Sequence, residues 1–547
     1  MEVIFFEGAI ELARIGLAQI EVAAGRPAQN AAKIIKFIER AKAQALDAVI
    51  FPSASVSGRL YTNSPAFLRD CDNACKEIIA ASTGITIFFG GVNEVIIAGN
   101  GNLVNRLKDR TLFAVEISDV KVNFMLDAAP YADEDIERHN FCTGRAMEAQ
   151  CPLIYVNAVG IQNTGKTIYA FDGGSSIYNS RGELVHRVEP FHETLSVVEV
   201  NDIELMPAME IVDEPAAEIY RAISFGVDRF LKQIGAGKVV IGISGGIDSA
   251  VAAALYTKVL GAENVLLVNM PSVFNSATTK NLSEQLAKNL GCKYAVVPIQ
   301  DSVDATIKQL ESTPVTFLSY GAAEEIKISS FARENIQARD RSARVLAALA
   351  AATGGVLTCN ANKAETTVGY ATLYGDAAGF LSALADLWKF QVYDLARYLN
   401  AEVYGREVIP QGIIDLVPSA ELSDAQNVDE GKGDPLHYDY HDYLFRAFVE
   451  KNLAPEDILQ AYADGNLEKF IGCAENLVKK YFPTAADFIA DLEKWWNAFA
   501  GIAVAKRLQA PPVLAVTARP FGSFSESQYP PYFTKNFHEL KQNLLNG

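Results

Sequence analysis

The sequence has no apolar run of the roughly 18 residues that a helix needs to cross a bilayer. Its start, MEVIFFEGAIELARIG, puts acidic residues where a secretory signal carries basic ones. Seven cysteines (Cys71, Cys75, Cys142, Cys151, Cys292, Cys359, Cys473) form no C-x-x-C pair. An odd, scattered set in a long chain reads as reduced intracellular thiols, not as a disulfide framework. A cytoplasmic protein without membrane attachment is expected. Positive charge is also short: 48 Lys+Arg against 66 Asp+Glu leave a net charge of −18. Such a field disfavours a nucleic-acid-coating surface while leaving room for a local basic pocket. There is no internal repeat and no low-complexity tract. What is present suffices for sizeable cores, because 50% of the 547 residues are hydrophobic and 21% charged. At roughly 100–200 residues per domain, two large domains are expected.

The first half reads as an α/β sandwich with several hairpins. ARIGLAQIEV (13–22) alternates like a half-buried strand, NAAKIIKFIERAKAQ (30–44) has helical spacing, and DAVIFPS (47–53) is a buried strand ending at Pro. PLIYVNAVG (152–160) is another buried strand, and GGSSIYNSRGELVHRV (173–188) predicts a hairpin turning at Asn179–Gly182. An acidic, aperiodic stretch around 200–216 marks a boundary, giving domains 1–205 and 206–547. From Lys238, strands KVVIGIS, NVLLVNMPS and YAVVPIQ alternate with helices, which predicts a doubly wound parallel sheet. From about 440 onward the chain reads as mostly helical.

The strongest local signal is KVVIGISGGIDSAVAAALY (238–256). A strand delivers the chain into Ser244-Gly245-Gly246-Ile247-Asp248-Ser249, and a helix follows at once. Glycines let backbone N–H groups approach an anion, and the helix N-terminus adds a positive dipole end. Ser244 and Ser249 add hydroxyl donors. Neither G-x-x-x-x-G-K-[ST] nor G-x-G-x-x-G is present. Asp248 repels phosphate directly, so a bridging Mg²⁺ is its natural partner.

SGGIDS in this setting resembles the pyrophosphate loop of ATP pyrophosphatases, which cleave ATP between the α- and β-phosphates and adenylate a substrate. ENIQARDRSARVLAALA (334–350), ANKAETTVGYATLYGDAAGF (361–380), VPSAELSDAQ (417–426), EGKGDPLHYDYHDYL (430–444) and KRLQAPPV (506–513) together resemble long-form NAD⁺ synthetases with an N-terminal amidase-like domain. The resemblance implies a nitrilase-like α-β-β-α sandwich followed by a Rossmann-like doubly wound parallel sheet of the ATP pyrophosphatase type. It implies ATP-dependent amidation of deamido-NAD⁺ by ammonia, with ATP and Mg²⁺ as cofactors, in a homo-oligomer. By resemblance Ser244 to Ser249, Met270, Asn360 and Ser419 hold ATP, with Met270 near adenine. Asp248 and Glu365 are the Mg²⁺ carboxylates and, with Lys389, the catalytic group. Asn335, Arg339, Arg341, Glu365, Tyr370, Asp376 and Lys506 match positions near deamido-NAD⁺. Lys363 and Lys432 join Arg339, Arg341 and Lys389 as candidate anion partners. One departure touches ATP: the family's T-G-N-K-S-E is Asn360-Ala361-Asn362-Lys363-Ala364-Glu365 here.

The family's first domain uses a Glu base, a Lys and a Cys nucleophile to release ammonia from glutamine. Here the base position after Phe-Pro is Ser53, whose hydroxyl cannot serve as a carboxylate base. Lys108 stands outside the family's Lys context, and VKVNFML runs straight into Asp127-Ala128-Ala129-Pro130-Tyr131, as though the nucleophile elbow were deleted. Cys142 with His139 three residues earlier is a substitute pair to be weighed against a packed helix cysteine. Cys151 reads as core, and His437 with His441 as part of a family block without a third metal ligand. The expectation is a degenerate amidase domain fused to a synthetase that takes free ammonia or receives it from a separate glutaminase subunit. Two other readings stand beside it: a non-catalytic nucleotide-binding scaffold, and a pyrophosphatase-type amidotransferase acting on another acceptor.

Overall fold

The computed structural model describes residues 3–4, 13–60, 64–109, 111–117, 120–133, 135–211, 214–321, 323–523 and 531–546. The chain forms two compact units, 1–229 with 515–518, and 230–514 with 519–547.

The first unit is built on two six-stranded sheets. One runs Val3–Ile4, Leu112–Ile117, Val120–Leu126, Leu153–Val156, Ser176–Tyr178, Leu184–Arg187; the other runs Thr194–Glu199, Arg14–Gln19, Ala48–Ile50, Thr86–Gly90, Glu94–Gly99, Asn102–Lys108. Period-2 alternation decides the layers. Ile15, Leu17, Ala48, Ile50, Phe88, Val95 and Ile97 meet Phe113, Val115, Val122, Phe124, Ile154 and Val156 between the sheets. Phe88, Phe113 and Phe124 stack at the centre, with ring centroids 5.4–6.1 Å apart. The alternate positions Ala18, Val49 and Ile87 face helices Pro27–Ala43 and Pro65–Ala81, which bury Ile34, Phe37, Ile38, Cys71, Cys75 and Ile78. Helix Asp135–Ala149 covers the outer face of the other sheet with Cys142 and Ala146. The layers are therefore α-β-β-α, as expected. Ser176–Tyr178 and Leu184–Arg187 form the expected hairpin.

The second unit opens on a four-stranded parallel sheet of order Lys293–Val296, Val265–Asn269, Val239–Gly242, Val356–Leu357. The first strand in sequence is internal: the chain adds the second and third strands on one side and then returns to add the last on the other. Its C-terminal end is thus a topological switch point, where open α/β sheets bind ligands. Residues 436–537 add a helical layer whose core holds Tyr440, Leu444, Phe445, Phe448, Phe488, Leu492 and Trp495.

Candidate active site

The loop that leaves Val239–Gly242 lies at that switch point. Gly245 has φ +89°, and a Cβ there would stand 2.5 Å from the Thr279 carbonyl oxygen, so no side chain fits. Gly246 precedes helix Ile247–Leu260, whose residues Ile247 and Ser249–Thr257 are buried. A helix apolar all round is a core element, which fixes where its N-terminal N–H groups point. Ser244 Oγ accepts from Gly246 N at 3.2 Å, and Ser249 Oγ accepts from Ser244 N at 3.3 Å. The hydroxyls take up two of the loop's backbone donors, Ser244 N and Gly246 N, and so fix its shape.

Two carboxylates flank this loop. Asn362 caps the helix Lys363–Val368 reciprocally with Glu365. The cap aims its amide: Asn362 Nδ2 donates to Glu365 Oε1 at 2.9 Å and to Asp248 Oδ1 at 3.0 Å. Lys389, the first residue of helix Lys389–Tyr398, places Nζ 2.5 Å from Asp248 Oδ2 and 3.6 Å from Glu365 Oε1. It also sits 4.7 Å from the Tyr438 ring centroid. Tyr438 donates to Glu365 Oε1 at 3.3 Å, and Tyr370 donates to Asp434 Oδ1 at 3.0 Å. Burial and the neighbouring Asp248 charge push Glu365 up to about 8. Burial likewise raises Asp434. Burial works against the Lys389 ammonium, but Asp248 and Glu365 outweigh it and raise its pKa. Lys389 is thus a fixed cation shared by two carboxylates that repel each other.

A cavity of about 270 Å³ opens over this group. Ser244, Gly246, Ile247, Asp248, Ser249, Met270, Arg341, Asn360, Glu365, Tyr370, Asp376, Lys389 and Ser419 line it, so most of the expected site residues converge. Arg341 donates to Met270 O and to Asn275 Oδ1, both at 3.1 Å, and burial lowers its pKa to about 10. Asn360 is held in the cavity wall: Nδ2 donates to Gly242 O at 3.2 Å and Oδ1 accepts from Thr358 at 2.9 Å. Asp376 accepts from Thr372 N at 2.7 Å, and burial raises its pKa.

Other expected positions lie elsewhere. Asn335 turns back to Phe331 O at 2.8 Å, and Arg339 is exposed, donating to Leu373 O at 3.1 Å. Lys506 donates to Gly369 O and Ala371 O, each at 2.6 Å, bracing the Tyr370 segment from behind. Lys432 pairs with Glu430 at the surface. Lys363 is corrected outright as an anion partner: its side chain is 0% exposed and ion-paired with Asp386 at 2.9 Å. Sequence reasoning missed Asn362, Tyr438, Asp434 and Glu421. Glu421 is 2% exposed and accepts from Ser276 N at 3.1 Å and Thr279 Oγ1 at 2.7 Å, tying the wall segment Val417–Leu422 to helix Ala277–Leu290. All four lie in or beside motif blocks, but their roles depend on a fold that brings distant blocks together.

Among the described residues no group of three or more His, Cys, Asp and Glu is arranged to hold a metal. The pair Asp248 and Glu365 suits a hard divalent cation that keeps water and substrate oxygens as its remaining ligands. The raised Glu365 pKa fits such a cation, which would relieve the crowded negative charge. His437 and His441 belong to packing: His441 is buried, accepts from His437 N at 2.7 Å and contacts Asp491 at 3.0 Å.

In the first unit, Ser53 donates its backbone N–H to Asp127 O at 3.1 Å. Arg59 reaches Ala128 O at 2.8 Å, and Asn157 bonds both Ala129 N and Ala129 O. Lys108 is exposed at the end of an edge strand. Leu112–Ile117 and Val120–Leu126 form an antiparallel hairpin, with Ile117 opposite Val120; residues 118 and 119 between them lie outside the described residues. Cys142 is 0% exposed against Leu153, Tyr155, Tyr178 and Leu184, while His139 Nδ1 lies 3.2 Å from Tyr178 Oη.

Residues 219–478 match the NAD synthase family, and residues 125–207 match carbon-nitrogen hydrolase. A glutamine-dependent NAD(+) synthetase of Synechocystis is 35% identical over 418 residues, 75% of this chain; the chain spans 66% of that relative. One from Xylella fastidiosa is 29% identical across 95% of this chain and 98% of its own. In fold, the chain is similar to the glutamine-dependent NAD(+) synthetase of Cytophaga hutchinsonii (TM-score 0.75, 17% identity, 97% of this chain and 99% of that one). It is also similar to that of Acinetobacter baumannii in complex with ADP (TM-score 0.63, 24% identity, 94% and 98%). With a hydrolase-type match followed along the chain by a synthase match, the chain belongs to the NAD synthase family in its two-domain form.

Proposed function

We propose that this chain makes NAD⁺ from deamido-NAD⁺, ATP and ammonia, and that its own first unit supplies no ammonia. The observation that carries the first half is the Asp248–Glu365–Lys389 group beside the Ser244–Ser249 loop, in a chain whose relatives are named NAD(+) synthetases. A nicotinate oxygen attacks the α-phosphorus of ATP, the bond to the β-phosphate breaks, and pyrophosphate leaves. Ammonia then attacks the acyl carbon and AMP departs, the nitrogen giving up a proton. The loop N–H groups and the helix N-terminus receive the pyrophosphate. Lys389 holds Asp248 and Glu365 in register and neutralises part of their charge. Mg²⁺, when bound through Asp248 and Glu365, would offset phosphate charge. Arg341, beside Met270 and Asn275, offers a desolvated cation to a second anionic group. Asp376 and Tyr370 line the same cavity for the dinucleotide.

The second half rests on the first unit. The base position is Ser53, and the strand Val120–Leu126 runs straight into Asp127, where the resemblance implies a nucleophile elbow. The hydrolase match begins at residue 125, beyond Ser53. Ammonia then comes from solution or from a separate glutaminase. The test is NAD⁺ formation by the purified chain with ATP, Mg²⁺ and deamido-NAD⁺, run with ammonium and with glutamine. Product from ammonium alone is expected. Glutamine-driven product free of contaminating ammonia would overturn the second half. No product from either would overturn the first and favour a nucleotide-binding scaffold.

A further inference from the structure

Lys363 and Asp386 form an ion pair in which both side chains are 0% exposed, with Nζ and Oδ1 2.9 Å apart. Lys363 Nζ also reaches Glu450 Oε1 at 3.2 Å and stands 5.1 Å from the Trp388 ring centroid. Trp388 Nε1 donates to the same Glu450 oxygen at 2.7 Å, and Arg446 Nε holds the other at 2.5 Å. The backbone joins in, since Lys363 N donates to Leu387 O at 2.8 Å. None of these side chains lines the cavity, so they do not touch its contents. Burying such charges costs several kcal/mol per ion, and a packed apolar cluster often serves stability as well. Stability alone is therefore a poor account of the network.

What the network does is join two short segments. Lys363 lies between Asn362 and Glu365; Asp386 and Trp388 lead directly into Lys389. We infer that Lys363 and Asp386 are positioning residues. By locking segment 362–365 to segment 386–389, they set the 3.6 Å separation between Lys389 Nζ and Glu365 Oε1, and with it the carboxylate geometry offered to a divalent cation. A deviation of order 1 Å in such a group costs up to about 100-fold in rate. Outer residues that orient metal ligands are worth about 10- to 100-fold in metal affinity. The inference rests on the Asp248–Glu365 site proposed above.

The test uses the full chain with the double substitution Lys363→Met/Asp386→Leu, which removes the pair without leaving either charge alone; Glu450 keeps Arg446 and Trp388. Calorimetry reads the Mg²⁺ concentration that half-saturates ATP binding, with no turnover required. A rise of about 10-fold or more is expected, with kcat reduced and KM for deamido-NAD⁺ within about threefold. A folded variant with the wild-type Mg²⁺ midpoint overturns the inference. If the double variant does not fold, Asp386→Asn replaces it, because Lys363 keeps Glu450 as its counter-ion. A severalfold rise is then expected, and an unchanged midpoint overturns the inference equally. Wild-type protein whose ATP binding depends on Mg²⁺ but which makes no NAD⁺ would count against the proposed reaction and not against the positioning. Wild-type ATP binding without Mg²⁺ dependence would sink both.

Discussion

Burial and the Asp248 charge, only partly offset by the one ammonium the two carboxylates share, raise the proton affinity of Glu365. Asp248 takes the short contact with Lys389, and Glu365 is left at 3.6 Å with a pKa near 8. Glu365→Gln keeps the shape and removes the charge. ATP–pyrophosphate exchange is expected to fall on the order of 100-fold, the scale of losing one electrostatic contact to a developing charge. The Tm in Mg²⁺-free buffer above about pH 8, where Glu365 is ionised, is expected to hold or rise, because a like-charge contact with Asp248 disappears. Wild-type exchange in this variant would remove Glu365 from the mechanism; a lowered Tm would mean that its charge is structural. The same residues show what a sequence can reveal. The SGGIDS loop is legible because its parts are contiguous and each has a job that only a few residue types perform. Lys363 is misjudged because a motif gives neighbours in sequence and not the side of the chain on which a residue points. One position away from the cap, its side chain enters the core while Asn362 faces Asp248.

The helix Lys389–Tyr398 needs a cap from outside, because its N-cap residue is Trp388. Asp442, on helix Tyr438–Val449, accepts from Phe390 N at 2.9 Å while 1% exposed, and its Oδ1 has no hydrogen-bond partner. A helix N-terminus favours the anion, but burial dominates and pushes Asp442 up to about 7. The folded state therefore binds the proton more tightly than the unfolded chain, whose carboxyl titrates near 3.9. This group's contribution is full below the unfolded pKa and is lost as pH rises through about 7. Wild-type Tm should fall more steeply than that of Asp442→Asn between about pH 4.5 and 7.5, by scanning calorimetry. Parallel slopes would show that Asp442 does not titrate there. Elements with strong periodicity or long apolar runs were legible: the alternating strands of the first unit and the three strands beginning at Lys238. The strand Val356–Leu357 was not, because two residues after Gly354-Gly355 carry no period. Yet it supplies the far side of the switch point.

At the scale of the molecule, charge sets how substrates arrive. The chain carries −18. The cavity does not reverse that sign locally, since Asp248, Glu365, Asp376 and Asp434 line it beside Arg341 and Lys389. The proposed substrates ATP and deamido-NAD⁺ are anions, whereas ammonium is a cation. At about 10 mM salt the Debye length is about 30 Å, so an approaching nucleotide meets the field of the whole protein; at about 150 mM it is about 8 Å, and only nearby groups count. Raising salt across that range at constant free Mg²⁺ should increase kcat/KM for ATP and for deamido-NAD⁺ a few-fold and decrease it for ammonium. The opposite sign for the nucleotides would mean that Arg341 and Lys389 dominate the approach despite the surrounding carboxylates. An identical response of all three would remove electrostatics from the arrival step altogether. The contrast between anionic and cationic substrates in one reaction makes the test internal, because a general effect of salt on the fold would move all three together.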